Sequence, residues 1–286
     1  MTLRRVCLKR THATRAAERS QNVNNWYRVC DTARRRTHGI VDRNLVTGWA
    51  VFEKIKFGIL LGFRSNSMIV SHKHKFIFFA TPKTATHAIR EALRDHLDPG
   101  DWEQQSLYRN VALPIPALRA IGHGHISVQQ LRPHLPKGMW DDYFKFGFVR
   151  NPYDRFVSAY FFLTRNHRAP GQDDTAQMKA LFKAERFHRM VHAVPQSHLI
   201  ANRKGEIGLD FIGRYEDLQG GYDQVCSTIG VPTTALTRKN TSDHEAFGHY
   251  YDEELRRAVA NFYQQDFELL GYDAGALPPN GMCEVQ

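Results

Sequence analysis

A lysine and two threonines, Lys83, Thr84 and Thr86, stand where an apolar run gives way to a helix-patterned stretch. The run KFIFFA (75–80) has the length and composition of a strand buried on both faces. Behind it Ile89, Ala92, Leu93 and His96 fall at i, i+3, i+4 and i+7, the stripe of an amphipathic helix, which DPGD (98–101) ends. At such a junction the first amide N–H groups of the helix have no intrahelical partners and the helix dipole is positive. Lys83, Thr84, Ala85, Thr86, His87 and Ala88 would thus offer an anion a row of N–H donors, a point charge and two hydroxyls. Pro82 stiffens the entry. The Gly-Lys-Ser/Thr ending of a nucleoside-triphosphate loop is missing, and with it the dedicated place for a magnesium-bound hydroxyl. Taken alone, TPKT reads equally well as a plain strand–turn–helix joint with a lysine facing solvent.

A second stretch, FVRNPYDRFVSAY (148–160), adds to the first. YFKFGFVRNP (143–152) is another buried-strand pattern, and Arg150 stands at its end. Asn151 is a good N-cap and Pro152 a good first helical residue. Ser158 lies two turns into the following helix, with Arg155 on the same face at i, i+3. A strand-end arginine and a helix serine suit a second phosphate, because the planar guanidinium donates two parallel hydrogen bonds. An arginine directly after an aromatic buried strand is also costly unless something partners it.

Between the two stretches, GHGH (122–125) supplies His123 and His125. In an extended segment a period of two puts both rings on one face. Imidazole is suited to removing a proton near neutral pH. An H-x-H pair can also ligate zinc, but no third ligand is identifiable, and two surface histidines remain a competing reading.

PKTATHAI followed by FVRNPYDRFVSAY resembles the carbohydrate-type (Golgi-type, family 2) sulfotransferases, which use 3′-phosphoadenosine 5′-phosphosulfate (PAPS). PQSHLI (195–200), FIGRYEDL (211–218) and YYDEELRRAVANFYQQDFELLGYD (250–273) extend the likeness over about 68–273. The resemblance implies that the 83–88 loop binds the 5′-phosphosulfate, with Lys83 at the bridging oxygen, and that Arg150 and Ser158 bind the 3′-phosphate. It implies no metal requirement. GHGH is similar to the His-Gly-His of uronyl 2-O-sulfotransferases, which makes His125 the expected base and His123 its assistant. In the same family a basic loop residue often covers the 3′-phosphate, which here points to Arg238 or Lys239, beside Asn240. Family members often carry glycine near Ala85–Thr86 and a small hydroxyl residue at the place of His87. Ala85 and Thr86 are accommodated if the backbone keeps φ negative there. Glu216 of RYED is expected to pair with an arginine and hold structure rather than act as the base. The acceptor implied is a carbohydrate or glycoconjugate hydroxyl. Two other classes compete: a P-loop kinase-like phosphotransferase, and a non-catalytic protein binding glycan or nucleic acid through its basic N-terminus.

The elements that must position these residues follow from the pattern. LDFIGRYEDL (209–218) is a third strand and turn. Helical patterns cover about 175–193, the segment with Leu218, Tyr222, Val225, Cys226 and Ile229 on one face, and a last helix capped by Asp252. Strands alternating with helices predict an α/β fold, a P-loop-like three-layer sandwich with a mainly parallel central sheet flanked by helices. In such sheets ligands sit beyond the carboxyl ends of the strands, which would bring the 81–88 loop and Arg150 to one edge.

Charge divides the 286-residue chain. Residues 1–66 hold 14 of the 39 Lys and Arg but 4 of the 29 Asp and Glu, so the whole excess of +10 lies there. Residues 67–286 are balanced, which removes the basic footprint expected of a nucleic-acid-binding body. Residues 1–67 read as a basic extension, weakly ordered in part, able to lie peripherally on a membrane and also of transit-peptide composition, and 68–286 as the sulfotransferase domain. Cys7, Cys30, Cys226 and Cys283 form no metal or disulfide pattern, which fits a reducing compartment. FGILLGF (57–63) is too short to span a bilayer, and a cytoplasmic location is expected.

Overall fold

The computed structural model of the protein describes residues 68–104, 113–169, 171–236 and 245–276. The basic segment 1–67, including FGILLGF, and Arg238, Lys239 and Asn240 lie outside the described residues. Five strands, β1 (Met68–Ser71), β2 (Phe76–Phe79), β3 (Trp102–Gln104), β4 (Phe144–Val149) and β5 (Phe211–Arg214), form one sheet in the order β3-β1-β2-β4-β5. β2, β4 and β5 are parallel, with Phe78 opposite Phe146 and Phe148 opposite Gly213. β1 runs antiparallel to both β2 and β3.

The sheet is therefore mixed, not mainly parallel. Its cause is the short link His72–Lys75, where Lys75 takes a left-handed φ of 50°. A link this short can only reverse the chain, since a parallel partner requires a crossover of a dozen residues or more. The strands β1 and β3 carry no long apolar run and were not expected.

Six helices of seven residues or more follow among the described residues: α1 (Thr86–Arg94), α2 (Pro152–Thr164), α3 (Asp174–Lys183), α4 (Leu218–Ile229), α5 (Glu253–Phe262) and α6 (Gln264–Leu270). α1 stops short of His96, so the apolar stripe ends at the buried Leu93. α2 begins as its sequence predicts, with Asn151 Oδ1 accepting from the Tyr153 N–H at 3.0 Å and Pro152 in the first turn. The 175–193 pattern is broken. Ala184 is extended, a short helix Glu185–His188 restarts, and the His188 ring reaches back to the Phe182 carbonyl at 2.6 Å. α5 has its Asp252 cap, which accepts from the Leu255 N–H at 2.9 Å.

Aromatic side chains of β2 and β4 fill one face of the sheet together with α1 and α4. Phe76, Phe78, Phe146 and Phe148 pack there with Ile89, Leu93, Tyr222 and the free Cys226. Each such buried ring contributes about 1.5–3 kcal/mol. Gly213 is required at its place, because a Cβ would lie 2.2 Å from the Phe148 ring. The other face is covered by residues from 113 to 143, and a separate aromatic core joins α2 to α3 and α5. Among the described residues no helix is long and apolar enough to cross a membrane.

One buried ion pair ties the periphery to the sheet. Arg155 of α2 and Asp266 of α6, 1% and 0% exposed, lie 4.0 Å apart. Asp266 accepts from the Gln196 and Ser197 N–H groups, each at 2.8 Å. Arg155 donates to the carbonyls of His192 (3.3 Å) and Val194 (2.8 Å). Arg155 is thus spent on scaffold and does not share the surface role of its helix neighbours. Removing one partner of a buried pair strands the other's charge and costs about 3–5 kcal/mol. Asp266→Ala should lose stability of that order in urea unfolding; a loss under ~1 kcal/mol, the range of an exposed pair, would show that the pair does not hold the 192–197 segment.

Candidate active site

β2 ends at a loop with unusual handedness. Lys83 and Ala85 have φ of 67° and 57°, both left-handed. The expectation of negative φ at Ala85 is overturned: the chain makes the turn a glycine would make and carries the strain of a Cβ there, about 1–2 kcal/mol. Alternating handedness of this kind turns successive N–H groups toward one concavity, an arrangement that suits anions. Thr84 does not face a ligand alone, since its hydroxyl donates to the Thr81 carbonyl at 2.9 Å. Thr86 Oγ1 is buried and has no hydrogen-bond partner among the described residues. The Ala88 N–H is already used, donating to the Ala85 carbonyl at 2.9 Å. His87 is half-buried in the first turn of α1.

The Lys83 ammonium stands over the Phe162 ring, 4.2 Å from its centroid. It has no carboxylate partner among the described residues. Burial, then the charges of Arg150 and Arg165, push it down to about 7. Arg165 covers the same ring, its Cζ 5.2 Å from the centroid. An ammonium kept this way is one that a bound anion would stabilise.

Arg150 is brought to the same edge. Its Nη1 donates to the Lys83 carbonyl at 3.3 Å, so the two motifs share one sheet tip, as the strand-end rule predicts. The fork itself goes elsewhere: Nε and Nη2 donate to the two Asp154 carboxylate oxygens at 2.6 and 2.7 Å. That corrects the expected two-pronged grip on a phosphate, because Asp154 already holds those prongs. The guanidinium carbon also lies over Tyr215, 3.9 Å from the ring centroid. Gln196 fixes its backbone on both sides, accepting from the Arg150 N–H at 2.9 Å and donating to its carbonyl at 2.8 Å. Ser158 is buried on α2, 5% exposed. Among the described residues Glu216 hydrogen-bonds no arginine. Its two oxygens accept from the Asn151 N–H (2.7 Å) and the Tyr272 hydroxyl (2.9 Å), so it braces the start of α2.

The histidines converge on the same place. GHGH is a loop rather than an extended strand: Gly122 has φ 74°, and the His125 N–H donates to His123 Nδ1 at 3.3 Å. Even so the two rings stay 5.9 Å apart. His125 Nδ1 meets the Ala80 carbonyl at 2.7 Å. A carbonyl can only accept, so Nδ1 carries the hydrogen and Nε2 holds the lone pair. Burial, followed by the His123 charge, drives His125 down to about 3, against the Ala80 carbonyl; burial drives His123 to about 4. Both rings are neutral at pH 7. His192, which the sequence did not single out, lies edge-on to His125 with centroids 6.2 Å apart. Its ring also packs on Phe162 at 5.0 Å. Among the described residues no group of three or more His, Cys, Asp or Glu is placed to hold a metal ion.

A lysine ammonium with no carboxylate partner among the described residues, an anchored arginine and a neutral imidazole thus stand together beyond the ends of parallel strands. The model of the sulfotransferase family matches residues 66–273, and the chain belongs to that family. It is accordingly a transferase of sulfuryl groups. The chain is also similar to an uncharacterized protein of Archaeoglobus fulgidus, 27% identical over 112 residues, which covers 39% of this chain and 88% of that protein. No solved structure matches it.

Sequence reasoning missed Asp154, Tyr215, Phe162, Arg165, Gln196 and His192. Asp154 had a signal, its i+4 spacing from Arg150. Gln196 lay inside the quoted PQSHLI, and Phe162 just past the second motif. His192 had none.

Lys83 gives the site a measurable titration. Its folded value, about 7, lies below the usual 10.5. Between those values the unfolded chain holds a proton the folded chain has released, so stability rises with pH across that window. Lys83→Met should be the more stable protein at pH 7 in the absence of ligand. The gap in urea midpoint should narrow as pH approaches 10. A gap constant over that range would mean that the ammonium is not desolvated.

Proposed function

We propose that this sulfotransferase takes its sulfuryl group from PAPS and passes it to a hydroxyl of a carbohydrate or glycoconjugate. The observation that carries the donor assignment is the Lys83 ammonium, without a counter-ion among the described residues and 4.2 Å from the Phe162 centroid, adjoining Arg150 through the Lys83 carbonyl. One loop and one strand end thereby offer cationic groups to two anionic ends of one molecule. The buried, unpartnered Thr86 Oγ1 and the left-handed residues of the loop fit an anion as well.

PAPS supplies a sulfuryl group activated as a mixed anhydride with phosphate. The loop amides, Thr86 and Lys83 hold the 5′ end. Arg150 meets the 3′-phosphate through Nη1 and its charge, with Ser158 beside it. By the family resemblance, Arg238 or Lys239 supplies a further cation for that phosphate. Lys83, protonated once an anion lies beside it, neutralises charge that develops on the leaving phosphate. His125 Nε2 takes the acceptor proton, because Nδ1 is committed to the Ala80 carbonyl. A base held near 3 by burial is feeble. The negative charge of the donor raises its affinity for a proton when it is needed. His123 fixes the His125 backbone through its own Nδ1. Positioning and preorganised charge account for catalysis, as in phosphoryl transfer.

Calorimetric titration with PAP, the desulfated product, should show binding with net proton uptake at pH 7.5, since Lys83 gains a proton beside the nucleotide. The uptake is read by repeating the titration in buffers of different ionisation enthalpy. Sulfate transfer to a glycan panel should fall by about 10²–10³ in Lys83→Ala, the cost of losing one preorganised donor. His125→Ala should lose turnover while keeping PAP affinity. A wild-type protein that ignores PAP would refute the donor assignment, and full turnover in His125→Ala would remove the base.

A further inference from the structure

His192 has no part in the reading above, yet its place is heavily determined. Arg155 holds its carbonyl and that of Val194. The Tyr263 hydroxyl donates to the Ala193 carbonyl at 2.8 Å. Asp266 takes the next two free N–H groups, of Gln196 and Ser197. A segment anchored this way fixes where its imidazole stands: beside His125 and against Phe162, the ring that also carries Lys83.

The geometry says which part of the site this is. The His192 ring stands 6.2 Å from His125 and 5.0 Å from Phe162, whose ring also lies under the Lys83 ammonium, so His192 belongs with the histidines and Lys83. Among the described residues its ring nitrogens have no hydrogen-bond partner, and no carboxylate faces it. Burial keeps the ring neutral. A neutral imidazole carries one N–H donor. In the arrangement above, Lys83 serves the bridging oxygen, Thr86 and the loop amides the 5′-phosphate, and His125 the acceptor; no side chain beside His125 is yet assigned to the sulfuryl oxygens.

We propose that the His192 ring N–H donates to an oxygen of the sulfuryl group, which makes His192 the residue that distinguishes the sulfated donor from its desulfated product. This rests on PAPS being the donor. Without acceptor, PAPS and PAP are titrated separately into wild type, His192→Ala, His192→Phe and His192→Asn. A hydrogen bond to a charged group is lost at about a tenfold cost in affinity. His192→Ala and His192→Phe should weaken PAPS about tenfold and leave PAP unchanged. His192→Asn, whose amide still donates, should recover most of the loss. Wild-type PAPS affinity in His192→Phe would reduce the ring to packing against Phe162. Equal weakening of PAPS and PAP would make His192 part of the scaffold. Either result overturns the inference while PAP binding still upholds the donor. A wild type that binds neither nucleotide overturns both.

Discussion

An ammonium is held at the tip of β2 with an aromatic ring for company instead of an acid, and the surrounding chain keeps it there. Buried cations elsewhere among the described residues are balanced: Arg150 by Asp154, Arg155 by Asp266, Lys145 by Asp210. Lys83 is treated differently. A cation over a ring gains about 0.5–2 kcal/mol, and removing an ion from water costs several. The difference falls on the folded protein, and with it the cost of left-handed backbone at an alanine. Such local expense is characteristic of sites that must be ready for a charge that arrives later.

Helix α2 organises the rest. Its first turn carries Asp154 next to Arg150, and its last turn and exit carry Phe162 and Arg165 next to Lys83. From Asn151 to Arg165 it spans about 20 Å at 1.5 Å per residue. One rigid rod therefore sets the spacing between the arginine end and the imidazole end of the site. Its own position is fixed at the start by Glu216, which accepts from the Asn151 N–H, and in the middle by the buried Arg155.

The parts of this arrangement legible in the sequence are those governed by local chemistry. β2 and β4 are read as continuous apolar runs, α2 by its Asn-Pro start, α4 by its stripe and the glycine after it. The strand-end rule brings Lys83 and Arg150 together correctly. What escapes is decided by contacts between distant segments. β1 and β3 are short, and their direction is set by a tight link, so the sheet is mixed. The arginine fork goes to Asp154, because a carboxylate one turn away is always at hand. The handedness at Ala85 answers to the loop's closure and not to alanine's preference. His192 reaches the site only because Arg155, Tyr263 and Asp266, up to about 110 residues apart in the chain, grip the same segment.

Gln196 clasps the Arg150 peptide from both sides, one amide oxygen receiving and one amide nitrogen giving. In effect a side chain plays the part of a neighbouring strand for a single residue. No carboxylate can substitute, because it has nothing to give, and asparagine is one methylene too short to span the same two groups. Position 196 should therefore tolerate almost no variation, because both faces of its amide are committed to one peptide. The arginine's aim is thus set by an amide nearly fifty residues farther along the chain.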